Sequence, residues 1–69
     1  MRDPKRLNDF YVRLRKLHAN YFPDWRFGQF MSNFFGWLYS EKQIDCFFPE
    51  EDKMIKYIEQ YCKENSQWG

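Results

Sequence analysis

Between Leu7 and Tyr21 the apolar positions Leu7, Phe10, Leu14, Leu17 and Tyr21 recur at steps of three and four, which places them on one stripe of an α-helix. Tyr11 and His18 widen that stripe, and Arg6, Asp9, Arg13, Lys16 and Asn20 fall outside it. Asp3 and Pro4 mark the start: an acidic side chain can cap the free amides of a first turn, and proline lacks an N–H that would have no partner there. Pro23 marks the end, because the residue before a proline avoids the helical region. The pattern predicts a first helix over about residues 4–22.

Asp24 repeats the capping signal and predicts a second helix over 25–39. Its apolar positions Phe27, Phe30, Met31, Phe34, Phe35, Trp37 and Leu38 cover an arc of about 160°, wider than the ~100° of an ordinary surface helix. This predicts the central, most buried helix. Gly28, Ser32 and Gly36 form a small-residue ridge beside the arc. A glycine inside a helix costs about 1 kcal/mol against alanine, so the ridge predicts close approach of another helix, from this chain or from a second copy in a homodimer.

The spacing then breaks from Ser40 to Pro49, a connection holding Ile44, Cys46, Phe47 and Phe48 and expected to fold back over the core. A third helix over 50–64 follows, with Glu50, Glu51 and Asp52 at the positive end of its dipole. Met54, Ile55, Ile58, Tyr61 and Cys62 supply its apolar stripe. Asp52 with Lys56, and Glu59 with Lys63, are acid-before-base pairs at spacing four. Residues 65–69 are expected to fray. The expected fold is therefore all-α, a compact three-helix domain over residues 1–64.

Composition sharpens this picture. The 69 residues include 8 Phe, 5 Tyr and 3 Trp, and rings that each bury roughly 150–250 Å² suit a domain with little interior. Mean hydropathy is -0.90, yet the aromatic content and a net charge of only +1 argue against disorder. The start Met1-Arg2-Asp3-Pro4-Lys5-Arg6 has no apolar stretch behind it and is not a secretory signal. The most apolar run, Phe27 to Tyr39, is too short to cross a bilayer. Cys46 and Cys62 are read as reduced, at least partly buried thiols of a cytoplasmic protein, with a disulfide between them as the other arrangement the sequence permits.

Candidate chemistry is sparse. His18 has no nucleophile or second imidazole beside it and reads as a packing residue. Glu50, Glu51 and Asp52 point in different directions from consecutive helix positions and read as dipole complements. With one histidine and two distant cysteines no zinc set can be assembled, and no phosphate-cradling glycine loop is present. The expectation is a non-enzyme without metal, cofactor or catalytic residues. Charge is asymmetric, +4 through Arg26 and -3 beyond it. Arg6, Arg13 and Lys16 on the exposed side of the first helix are therefore candidate phosphate contacts. Asp9 interrupts that patch, and the long second connection excludes a helix-turn-helix. The competing reading is a solvated face complementing the acidic start of the third helix.

The segments Met1-Arg2-Asp3-Pro4-Lys5-Arg6, Pro23-Asp24-Trp25-Arg26-Phe27-Gly28-Gln29-Phe30 with Asn33, and Phe47-Phe48-Pro49-Glu50-Glu51-Asp52 resemble a family of short uncharacterised proteins of bacteria and their phages. The resemblance spans nearly the whole chain and excludes the cysteines and Trp68. It implies no activity, cofactor or catalytic residue, and it implies an accessory or defence-related role linked to mobile elements.

Within those segments Arg26, Gln29 and Asn33 make a polar ridge outside the aromatic arc. In one reading Arg26 pairs with Asp3 or with the acidic start of the third helix, and the ridge holds the helices in register. In the other the ridge faces outward and bonds a partner. Trp25, Tyr39 and Trp68 are the aromatic residues expected to face outward. The function expected is a small protein-interaction module contacting an unidentified protein through Trp25, Arg26, Gln29 and Asn33. The alternative is a nucleic-acid-associated protein using Arg6, Arg13 and Lys16.

Overall fold

The computed structural model describes residues 2–66; Met1 and residues 67–69 are not described, so the expectations about Trp68 and the end of the tail lie outside it. Three helices, α1 (Arg6–Tyr21), α2 (Phe27–Lys42) and α3 (Glu51–Asn65), make an all-α three-helix domain, with no strand among the described residues. None of these helices is long and apolar enough to cross a membrane.

The helix ends differ from the sequence expectation for identifiable reasons. Asp3 does not cap α1: it accepts the Lys5 N–H at 2.9 Å in a preceding tight turn, and regular helix begins at Arg6 rather than at residue 4. α1 closes at Tyr21, where Phe22 leaves the helical region and still donates its N–H to the His18 carbonyl. α2 begins at Phe27, not Trp25, and Asp24 does not cap it. Arg26 occupies the cap position, and the Gln29 Oε1 reaches back to accept the Arg26 N–H at 2.8 Å, one half of a capping box. Its far end passes Tyr39 and runs to Lys42. Gln43 then turns left-handed (φ 56°) and donates to the Tyr39 carbonyl, and Ile44 donates to that of Leu38, which closes the helix as in a Schellman motif. The connection is thus shorter than Ser40 to Pro49. α3 runs on through Asn65, whose side-chain amide donates to the Tyr61 carbonyl, so fraying does not begin at residue 65.

α3, not α2, is the centre of the packing: it lies against both other helices, most extensively α1, whereas α1 and α2 meet sparsely. α2 nevertheless contributes Phe30, Phe34 and Leu38, all fully enclosed, and α3 contributes Ile55, Ile58, Tyr61 and Cys62. α1 gives only Leu14 to the buried core, and Phe22 joins from the turn that follows it. The Phe22 ring lies against Trp25, Phe30 and Tyr61, and Tyr61 also meets the edges of Phe34 and Trp37. This ring network joins α2, α3 and the α1–α2 turn.

Burial raises the Tyr61 hydroxyl pKa above its ordinary value, with the neighbouring Cys62 adding to it. It pushes the Cys62 thiol up to about 11, with Glu59 adding to the shift. Both cysteines are free, and Cys46 is exposed, against the expectation that each would be at least partly buried.

Three ion pairs tie the N-terminal segment and α1 to α3: Arg2 with Glu50, Arg6 with Glu51 at 2.8 Å, and Arg13 with Glu59 at 3.0 Å. The Arg6 guanidinium, followed by the backbone N–H of Glu51 itself, holds that carboxyl below its usual value. The expected pairs within α3 do not form: Glu59 turns to Arg13 on the neighbouring helix, and Asp52 accepts the Lys53 N–H at 2.9 Å.

Candidate interaction site

The residues singled out in the sequence do not converge on one surface. Trp25 is not an outward anchor. Its indole stacks on Phe22 with centroids 4.2 Å apart and packs against the core. Arg26, Gln29 and Asn33 are exposed. Arg26 makes no ion pair among the described residues. Asp3, Glu50 and Glu51 lie with the α1–α3 contact, where Asp3 accepts the Lys5 N–H and the two glutamates take Arg2 and Arg6. The register-holding role therefore belongs to the arginines of the first segment, and of the polar ridge only Gln29 has a fixed local task, on its own helix start.

Two of the three candidate phosphate contacts are committed within the chain. Arg6 holds Glu51, and Arg13 holds Glu59 and approaches Asp9 at 3.7 Å, while Lys16 stands exposed. His18 packs as expected: its ring lies 4.8 Å from that of Phe30, and its Nε2 donates to the Trp25 carbonyl at 2.7 Å. The small-residue ridge receives no helix of this chain. A Cβ added at Gly28 or Gly36 would meet nothing within 4 Å, so the expectation of close approach within the chain is wrong. No group of three side chains fit to hold a metal occurs among the described residues.

What the fold does assemble is an apolar groove. Between α1 and α2 lies an open depression of about 390 Å³, lined by Phe10 and Leu14 of α1, Met31 and Phe35 of α2, and Met54 and Ile58 of α3. A second depression of about 450 Å³ shares Tyr11, Leu14 and Phe27 with it and extends past Arg15 to Pro23. Rings stand on the rim instead of closing it: Tyr11 is 58% exposed, Phe27 64% and Phe47 82%. Phe48, 74% exposed, meets Phe47 edge to face at 5.2 Å. Phe27 thus leaves the predicted core arc, and the connection does not fold its rings over the core. Only Ile44 reaches inward.

The local chemistry explains this loop. Asp45 Oδ1 accepts the Phe47 N–H at 2.9 Å, and the Phe48 N–H donates to the Asp45 carbonyl. The tight turn so formed presents two consecutive side chains to the outside. The groove offers rings, methionines and the Cys46 thiol, and its one carboxylate, Glu51, is already held by Arg6. Such a surface accepts apolar side chains. The signal in the sequence was Phe47-Phe48 between turn residues, since two successive rings in a tight turn cannot both reach one core. Compared with protein-family models, with curated proteins and with solved structures, the chain matches none.

Proposed function

We propose that this chain is a small non-enzymatic interaction module that binds protein through the groove between α1 and α2 and the rings at its rim. The observation that carries the reading is the exposure of Tyr11, Phe27 and Phe47 around one apolar depression, with the exposed ring of Phe48 edge to face against Phe47. Rings left open to water cost solvation that covering them recovers, at roughly 25 cal/mol per Å². Aromatic side chains at the centre of a patch also serve as contact anchors. Nucleic-acid binding through Arg6, Arg13 and Lys16 is disfavoured, because phosphate contact would require the first two to leave carboxylate partners 2.8 and 3.0 Å away. The resemblance to short phage and bacterial proteins adds a role as an accessory factor acting on a host system.

The test is affinity capture from native cells with tagged wild type, a Phe27→Glu/Phe47→Glu variant and an Arg13→Ala/Lys16→Ala variant. The reading expects a defined protein lost with the ring variant and kept with the basic one. Retention by the ring variant, or nuclease-sensitive capture lost only with the basic variant, contradicts it.

A further inference from the structure

We infer that the occupant of this groove is a second copy of the chain, so that the module acts as a symmetric dimer whose ring-bearing faces cover each other; this rests on the reading of the groove as a protein-binding surface. A two-fold interface needs a patch that complements itself. This face has both halves of such a patch: a projecting ring at Phe47, with Phe48 edge to face against it, and a depression of about 390 Å³ that Phe47 borders.

Area agrees. Four rings that each bury roughly 150–250 Å² when covered, and that stand 58–82% exposed, present on the order of 400–700 Å². The upper part of that range overlaps the roughly 600–1,000 Å² per partner of a specific interface. The range also overlaps the upper part of the roughly 300–600 Å² of the largest apolar patch on an ordinary monomer and extends above it. Charge agrees as well. A net charge of +1 sets up little repulsion between copies. The glutamates facing the first segment and α1, Glu50, Glu51 and Glu59, are paired with Arg2, Arg6 and Arg13 within the chain, and the one carboxylate lining the depression, Glu51, is among them.

The experiment is sedimentation equilibrium of the full chain up to about millimolar concentration, where even weak association shows, with circular dichroism to confirm that each variant is folded. Wild type should show twice the 8.7 kDa monomer mass. Phe47→Ser and Phe48→Ser, which remove exposed rings and spare the core, should each raise the dissociation constant about tenfold or more. Gly36→Ala, on the solvent-facing ridge, should dimerise like wild type. A wild-type protein that stays monomeric overturns the second-copy inference. It leaves the groove reading to stand or fall on the capture experiment, where a different protein would then be lost with the ring variant. A dimer that survives both Phe variants, or one dissolved by Gly36→Ala, places the contact elsewhere and equally overturns the inference.

Discussion

The indole of Trp25 lies nearly parallel on the ring of Phe22, 10° from coplanar with centroids 4.2 Å apart. That stack, with the His18 Nε2 bond to the Trp25 carbonyl, folds the α1–α2 turn onto the end of α1 and fixes where α2 can start. Trp25 is accordingly structural, and its replacement should show it. Trp25→Ala should lower unfolding stability by about 2–3 kcal/mol, somewhat under the cost of deleting a fully buried ring. Tyr39→Ala, at a site 70% exposed, should stay within about 0.5 kcal/mol of wild type. Urea titration of both variants measures the contrast.

The polar ridge predicts the opposite of a register-holding motif. Arg26→Ala should leave stability within about 0.5 kcal/mol of wild type, because no carboxylate is paired with Arg26. The pair Arg13–Glu59, half-exposed at 3.0 Å, should give a coupling of about 0.2–1 kcal/mol in a double-mutant cycle, shrinking as salt is raised.

Much of the fold was legible because helix periodicity depends on spacing, and spacing survives whatever lies next door. Leu14, Phe30, Phe34, Leu38, Ile55 and Ile58 all fall where their stripes put them. The wheel angle of Phe27 was also within its arc, but angle does not say whether a neighbouring element covers that height, and Phe27 stands 64% exposed on the rim of the depression. Trp25 was misassigned because the cap position follows it: the chain uses Gln29 and the Arg26 backbone, not Asp24. The extension of α2 to Lys42 was hidden because the stop at Gln43 is a left-handed turn made without glycine or proline. The site was the least legible part. Hydropathy marks Phe47 and Phe48 as apolar, and the sign that they face outward lies in their succession between turn residues, where the turn on Asp45 presents them.

That left-handed turn and the solvent-facing glycines can be improved, which is itself a test. Gly36→Ala should raise stability by about 1 kcal/mol, since alanine is the better helix former and its Cβ has open space. Gln43→Gly should add about 0.5–1 kcal/mol by relieving the positive φ. Thermal unfolding reports both as increases of several degrees, roughly 4–8 °C per kcal/mol for a domain this small.

Titration of the buried thiol makes stability depend on alkaline pH. The Cys62 pKa is higher in the folded protein, at about 11, than the ordinary 9.0. Its contribution is complete below pH 9 and is lost as pH rises toward 11, a change on the order of 2 kcal/mol for this fully enclosed group. Tyr61 shifts in the same direction. At the acid end Glu51 behaves oppositely. Its lowered pKa contributes stability above 4.5 that is lost as pH falls through the folded value. Arg6→Ala should therefore move the Glu51 titration, followed by carboxyl NMR shifts, upward.

The most direct measurement of the central claim uses the thiol that the groove already contains. Cys46 is exposed in the groove lining and Cys62 is fully enclosed, so a bulky maleimide added to native protein reports on Cys46 alone. If a second copy covers this face, the fraction of accessible thiol falls as protein concentration rises. The labelling rate per molecule should then drop between about micromolar and millimolar protein, and Phe47→Ser should move that drop to about tenfold higher concentration or beyond. A wild-type rate that is constant across that range would contradict the account.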